Sequence, residues 1–282
     1  MHAAVAKEFE FRQSDFERIK KQIFDMTGIS LSDAKKDMVY GRLSRRIRDL
    51  GLTDFKDYCD LVAEPDSDEL NNFINAITTN LTSFFREDHH FKFLVETALP
   101  DVMKKNRESR KIRIWSAGCS TGEEPYSLGI VLKEALPRKH NWDIKILATD
   151  LDTDVLAKAQ RGIYDLDRIN GLAESRQKKW FSRGTGKQAG FVKVTDEIKN
   201  LISFKQLNLM SEWPMKGSFD IIFCRNVVIY FDKPTQRILF QRYAELLSES
   251  RYLFVGHSES LYKVSTQFKL IGNTIYQNLE QS

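Results

Sequence analysis

The sequence predicts an α/β protein in two parts: an all-helical N-terminal segment, then a doubly wound, mainly parallel sheet with a small antiparallel β insert. Three observations predict it. Apolar positions in the first hundred residues recur only at helical spacing. From about residue 111, short apolar runs alternate with helical stretches. A Gly272-Asn273 step between two strand-like runs ends the pattern with a hairpin signal. The expected division is a helical domain over 1–95 and an α/β domain over 96–282, with the insert at about 180–203.

Ser14 and Glu17 have capping-box spacing, Phe16, Ile19 and Ile23 follow at helical intervals, and Gly28 is a stop signal. Ser32 or Asp33 can open a second helix that ends before Gly51, and Thr53 can cap a third with Phe55, Tyr58 and Leu61. A fourth runs from about Asp68 through Phe73 and Ile77. A fifth follows Asp88, with Phe91, Leu94, Val95 and Leu99 on one face.

Strands are then expected at 111–116, 143–149, 201–207, 220–224 and 251–255, with helices at about 125–136, 153–161 and 234–247 between them. The closing runs 268–271 and 274–278 place an antiparallel strand at one edge. Between Trp180 and Asn200 the rhythm breaks: Gly184, Gly186 and Gly190 surround a strand-like run at 191–195, which reads as an inserted hairpin unit.

Composition narrows the function classes. The 282 residues are 41% hydrophobic and 29% charged, which suits a globular protein with a sizeable core. No apolar run reaches the ~18 residues of a membrane span, and the first residues lack a signal peptide's apolar stretch. Cys59, Cys119 and Cys224 are scattered and form no C-x-x-C pair, so neither a zinc site nor a disulfide framework is expected, and the compartment is expected to be the cytoplasm. His89 and His90 are expected to splay apart on their helix, and His257 stands alone, so no metal is expected. The net charge is +4. Residues 32–51 hold six bases (Lys35, Lys36, Arg42, Arg45, Arg46, Arg48) and three acids, which leaves +3 in that short stretch. On a helical wheel Tyr40, Leu43, Ile47 and Leu50 gather on one side, and Lys35, Arg42, Arg45 and Arg46 on another. A solvated face is the plain explanation; a docking face is the functional one.

The strongest local signal runs from Ile114 to Pro125: a strand, a turn of small residues (Ser116-Ala117-Gly118-Cys119-Ser120-Thr121-Gly122), then a helix with Pro125 in its first turn. Small side chains let a ligand approach the backbone. The spacing is not G-x-G-x-x-G, and Glu123 and Glu124 at the helix mouth would repel a pyrophosphate. They suit S-adenosylmethionine, which has a sulfonium cation and an ammonium group and no phosphate. Complementing the helix dipole is their plain role. Asp150, at the end of the next strand, can accept both ribose hydroxyls, provided that Asp152 takes the helix cap. Asn208 could hold an adenine amine or simply make a turn.

Together these segments resemble the CheR family of chemotaxis receptor methyltransferases. The motifs are residues 80–86 (NLTSFFR), 116–127, 148–152 (ATDLD), 219–232 (FDIIFCRNVVIYFD) and 255–259 (VGHSE), and the likeness spans residues 16–276. It implies a class I S-adenosylmethionine-dependent (Rossmann-like) sheet, which has the closing antiparallel strand that a nicotinamide-binding domain would not need. The implied cofactor contacts are Asn80, Thr82, Arg86, Glu124 (with Glu123 as its alternative), Asp150, Asn208, Leu209, Cys224 and Arg225. Arg86 and Tyr230 would lie beside the transferable methyl group. Arg42, Arg45 and Arg46 would face acidic receptor helices, and the insert would take the receptor's C-terminal tail. One departure stands out: Glu249-Ser250-Arg251 occupies the place where similar proteins usually have a Gly pair.

The implied activity is glutamate O-methylation of membrane receptors by a cytoplasmic, monomeric enzyme recruited to receptor arrays, with no nucleic-acid partner. A free glutamate has a pKa near 4.3, so its carboxylate is already the nucleophile and needs no base. Two alternatives remain. A nucleic-acid amine methyltransferase would show a D/N-P-P-Y/F motif where this chain has Arg225-Asn226-Val227-Val228, and a cytosine C5 enzyme would use a Pro-Cys nucleophile, whereas Cys224 follows Phe223. A silent adaptor would not need the intact small-residue turn and Asp150.

Overall fold

A computed structural model of the chain describes residues 7–137 and 141–279. It contains two compact units, Met1–Thr79 with Tyr230–Asp232, and Asn80–Ile229 with Lys233–Ser282.

The first unit is helical: α1 (Gln13–Thr27), α2 (Lys36–Asp49), α3 (Phe55–Ala63) and α4 (Leu70–Ile77). Apolar residues at helical spacing make its core, with Phe16, Ile19, Ile23, Val39, Leu43, Ile47 and Phe73 fully buried. The start of α1 differs from the expected Ser14–Glu17 box: the Arg12 N–H donates to Asp15 Oδ2 at 2.8 Å, so the helix begins earlier. Gly28 ends it as expected, in a left-handed conformation with its N–H on Phe24 O. Asp54, not Thr53, caps α3 through the Asp57 N–H.

The second unit opens with α5 (Asp88–Phe93), which runs through a π turn (Leu94–Ala98) into α6 (Leu99–Lys105). Here the expected boundary at residue 95 is corrected. Phe91, Leu94, Ala98, Leu99 and Val102 pack into the core of the sheet, so this helix belongs to the second unit and the helical unit ends at Thr79. The chain then alternates as β1 (Lys111–Ala117), α7 (Glu123–Ala135), β2 (Asp143–Asp150) and α8 (Thr153–Arg161). Next come β3 (Ile163–Asp165), α9 (Glu174–Trp180), β4 (Phe181–Arg183), β5 (Phe191–Val194) and α10 (Asp196–Lys199). The unit ends with β6 (Ile202–Gln206), β7 (Phe219–Cys224), α11 (Lys233–Leu246), β8 (Leu247–Val255), β9 (Phe268–Gly272) and β10 (Ile275–Asn278).

The seven-stranded sheet has the order β6-β2-β1-β7-β8-β10-β9. The pairs β6–β2, β2–β1, β1–β7 and β7–β8 are parallel, while β10 lies antiparallel to both β8 and β9. This is the α/β class expected, with the closing hairpin as its antiparallel edge. The strand order reverses between β1 and β7, and ligands bind doubly wound sheets at the carboxyl ends of strands at such a switch.

The insert is larger than expected. A second sheet, β3-β5-β4, spans Ile163–Val194 rather than 180–203. Three-residue β3 gives no alternation to read, and the run at 202–206 belongs to the main sheet. Trp180, Phe181, Val192 and Val194 form the insert's core together with Tyr126 and Phe84.

At the unusual Glu249-Ser250-Arg251 step, Ser250 takes φ 55° inside β8. A serine therefore occupies the left-handed region that a glycine enters without strain.

Candidate active site

The turn after β1 is shaped by two glycines. Gly118 (φ 84°) leaves no room for a side chain: a Cβ would lie 2.3 Å from Val227 Cγ2. Gly122 (φ 97°) would set a Cβ 2.9 Å from the Ala159 Cβ. The Gly118 and Cys119 N–H groups donate to Thr149 O, which ties the turn to the end of β2.

Asp150 closes the cradle. Its Oδ2 accepts the Ser120 N–H at 2.7 Å and its Oδ1 the Asp152 N–H at 3.0 Å, so both oxygens are fixed and each keeps lone-pair capacity. Burial raises its pKa to about 6, against those backbone N–H groups. Asp152 caps α8 through the Asp154 and Val155 N–H groups, the cap that the sequence suggested. Asn80 joins this end of the site: its Nδ2 donates to Asp152 Oδ2 at 2.7 Å and its carbonyl accepts the Ser120 hydroxyl at 2.9 Å.

The two glutamates at the mouth of α7 have different partners. Glu123 is buried against Arg168 and the Thr121 hydroxyl. Glu124 accepts the Ser116 hydroxyl at 2.7 Å and Arg225 Nη1 at 3.0 Å. Burial pushes the Glu124 carboxyl up, and Arg225 opposes it. Arg225, only 2% exposed, also donates to the Arg86 carbonyl and lies 3.3 Å from Glu87 Oε2. Arg86 itself is half-buried and donates to Leu81 O at 2.8 Å. Thr82 is half-buried, with its carbonyl on Arg168.

Asn208 makes the turn that was its plain reading, its Oδ1 accepting the Met210 N–H at 2.9 Å. Leu209 is buried, and its carbonyl accepts Arg242 Nη1 and the Trp213 indole. Cys224 is fully buried at the end of β7. Tyr230 lies in the first unit, where its carbonyl accepts the Ser30 N–H at 2.8 Å and its hydroxyl lies 3.5 Å from Thr79 O.

The basic helix needs a correction. Arg42 Nη1 donates to the carbonyls of Ala76, Ile77 and Thr78, the unpaired end of α4. Arg46 makes a two-pronged pair with Glu69, at 2.8 and 2.7 Å. Glu69 is 5% exposed and also receives Tyr58 and Asn72. Both arginines are engaged inside their own unit because two buried acceptor groups need them; Arg45 is exposed.

Sequence reasoning missed Glu87, His257 and Glu259. Glu87 (φ 58°) accepts His257 Nδ1 at 3.0 Å; burial alone would raise its carboxyl, but His257 and Arg225 hold it at about 2. Their signal was present in the motifs, directly after Arg86 and at both ends of His257-Ser258-Glu259. His89 and His90 do not splay apart: their rings lie 4.2 Å apart, and with Glu87 they bring ligand-type atoms within 4.8 Å. Arg225 already neutralises Glu87, so an added dication would meet a fixed positive charge. Burial, with Arg225 and His89, drives the His90 pKa down to about 3, which keeps it neutral.

A tight turn of small residues and a buried carboxylate whose two oxygens are held by backbone N–H groups suit the ribose and cationic tail of S-adenosylmethionine. Comparison with known proteins agrees. The model for the CheR methyltransferase SAM-binding domain matches residues 80–277, and that for the CheR methyltransferase all-alpha domain matches residues 14–78. The chain is 44% identical to chemotaxis protein methyltransferase 2 of Pseudomonas aeruginosa, over 96% of this chain and 95% of that protein. It is 45% identical to the chemotaxis protein methyltransferase of Escherichia coli, over 93% and 89%. A magnesium protoporphyrin IX methyltransferase solved with bound SAM aligns at 15% identity and a TM-score of 0.38, over 88% of this chain and 98% of that one, too loosely to add weight. By the match of both domain models and by its relatives, the chain belongs to the CheR methyltransferase family and uses S-adenosylmethionine.

Proposed function

We propose that this chemotaxis methyltransferase esterifies glutamate side chains of chemotaxis receptors, giving glutamate 5-O-methyl esters. The observation that carries the reading is the near full-length identity to named chemotaxis protein methyltransferases, combined with a cradle closed by a buried carboxylate. Bound S-adenosylmethionine would supply a methyl carbon activated by positive sulfur, which the glutamate oxygen would take while the carbon–sulfur bond broke and its electron pair stayed on sulfur.

The protein's own residues then align and desolvate. Asp150 takes the ribose hydroxyls. Asn80, Thr82, Glu124, Asn208, Leu209, Cys224 and Arg225 line the rest of the cofactor. Arg86 steers the receptor carboxylate and Tyr230 fixes one of its oxygens. No base is needed, because the nucleophile is already ionised at neutral pH. Opposite charges vanish in the transition state, so a water-poor site favours it. Tyr230→Phe should therefore lower kcat by roughly tenfold or more while S-adenosylhomocysteine affinity stays near wild type, and Arg86→Ala should lower turnover too. Wild-type turnover in both variants removes these roles.

The test of the function itself is mass spectrometry of a receptor cytoplasmic fragment incubated with the protein and S-adenosylmethionine. Alkali-labile methyl groups on glutamate are expected; methylation of RNA instead, or of no glutamate, overturns the reading.

For recognition, two surfaces serve. Arg45, exposed on α2, meets acidic receptor helices. The outer strand β4 takes an extended receptor tail by backbone pairing. Antiparallel alternation supports the second. Thr195 N–H bonds to Trp180 O and Gly184 N–H to Phe191 O, so residues 180, 182 and 184 face β5; the Phe181 N–H closes α9 on Gln177 O, and the Arg183 N–H faces the open edge. Such docking would recruit a cytoplasmic, monomeric enzyme to receptor arrays. Among the described residues no helix is long and apolar enough to cross a membrane.

A further inference from the structure

The Gly256-to-Glu259 segment has no role in the chemistry above, yet it holds a buried carboxylate. Glu259 is 4% exposed. Its Oε2 accepts the N–H groups of Asn226 at 2.9 Å and Gly256 at 2.6 Å, and its Oε1 that of Ile229 at 3.1 Å. Among the described residues no ion pair reaches it; burial pushes its carboxyl up, and the backbone N–H groups oppose that.

The Asn226 and Ile229 N–H groups belong to the loop that leaves β7, and the Gly256 N–H directly follows β8. Cys224 ends the strand, Arg225 follows it, and Asn226 then turns through φ 59°, a left-handed conformation that costs a non-glycine residue energy, less for Asn than for most, and that its surroundings hold in place. Two close approaches fix the loop on either side. A Cβ on Gly256 would lie 2.5 Å from Asn226 Nδ2 and 2.8 Å from Asn226 N. Val227 fills the space that a Cβ on Gly118 would need, directly against the small-residue turn. The strained loop is thus clamped between Glu259 and the cofactor cradle, and Arg225 at its root carries Glu124 and Glu87.

We infer that Glu259 is a positioning residue for the cofactor: its carboxylate locks the Arg225–Ile229 loop in the strained form that seats Val227 on Gly118 and sets Arg225 beside Glu124. This rests on the assignment of Cys224 and Arg225 as cofactor contacts. Glu259 touches no reacting atom and acts through the loop.

Glu259→Gln keeps the shape but turns one acceptor into an NH2 group that faces a backbone N–H. The dissociation constant for S-adenosylhomocysteine, measured by calorimetry, should rise at least about tenfold. The KM for S-adenosylmethionine should rise by a similar factor, with kcat at saturation changed by less than about threefold, since a lost ground-state contact is lost equally in the transition state. The amide proton resonances of Asn226, Gly256 and Ile229 should move upfield together. Val102→Ala, a core lesion in α6, should lower Tm and leave the dissociation constant unchanged. Gly256→Ala tests the clamp by a second route, because its methyl group displaces Asn226, and it decides the matter should Glu259→Gln not fold. A wild type that fails to bind S-adenosylhomocysteine breaks the cofactor-contact assignment. A wild type that binds, beside variants that lower Tm but bind equally well, overturns the positioning role.

Discussion

Asp150 is a carboxyl that burial leaves unusually easy to protonate. Its ordinary value is 3.8 and burial lifts it to about 6. Between those values the folded chain holds a proton that the unfolded chain has lost, so this group's contribution to stability is present below 3.8 and lost as pH rises through about 6. Cofactor binding runs the other way, because only the ionised form accepts both ribose hydroxyls. Affinity for S-adenosylhomocysteine should fall as pH drops through about 6. Asp150→Asn should cost roughly 1.5–3 kcal/mol of binding at neutral pH and flatten that dependence. An unchanged affinity, or a wild-type profile level across this range, removes the ribose assignment. At this scale the legible residues were those with local logic. Asp152 read as a cap because its partners are two and three residues on. Glu87 did not read as a hub, because His257 lies 170 positions away and no spacing rule reaches that far.

Among the elements, α2 shows how a charged face can mislead. Its wheel was legible, and Leu43 and Ile47 are fully buried as drawn. The basic side was read as docking surface, yet Arg42 closes the end of α4 and Arg46 pairs with Glu69. Periodicity gives the face a residue occupies, but not the acceptors waiting there. Arg46→Ala leaves the nearly buried Glu69 with only neutral donors; with Arg46 itself 27% exposed, the loss should be roughly 2–3 kcal/mol in a urea melt. Arg45→Glu should leave stability within about 0.5 kcal/mol and raise the KM for receptor. A destabilised Arg45→Glu, or an unchanged KM, contradicts that division. The insert was legible only in part. Its glycines announced a break, but β3 has three residues and shows no alternation. Arg183→Pro removes an N–H from the open edge of β4 without touching the bonds to β5, and edge strands tolerate proline. It should abolish binding of a receptor tail peptide and leave S-adenosylhomocysteine affinity intact, while Arg183→Ala keeps the N–H and binds. Equal peptide binding by wild type and Arg183→Pro ends the tail-docking proposal.

For the whole molecule, the alternation of strands and helices and the closing hairpin were readable because each is encoded in one contiguous stretch. The order β6-β2-β1-β7-β8-β10-β9 was not, since it depends on which distant strands pair. Charge follows the same rule. The +4 excess is visible in the sequence, but its placement is not: within 32–51, Arg46 pairs with Glu69 and Arg48 with Glu8. Among the described residues less free cation remains in this stretch than the count suggests, chiefly Arg45 on α2 and Lys35 just before it, both exposed. Steering of an acidic receptor should then be modest but measurable. Salt shortens the screening length from about 10 Å at 0.1 M to about 3 Å at 1 M, which weakens exposed charge pairs and leaves buried ones largely intact. The kcat/KM for receptor should fall several-fold across that range, while the dissociation constant for S-adenosylhomocysteine, which we propose rests on the largely buried Asp150 and Glu124, should change by less than about twofold. Arg45→Glu should flatten the salt dependence of the receptor rate. A receptor rate indifferent to salt in the wild type would mean that docking is apolar or backbone-mediated, as at the β4 edge, and that α2 does not steer it.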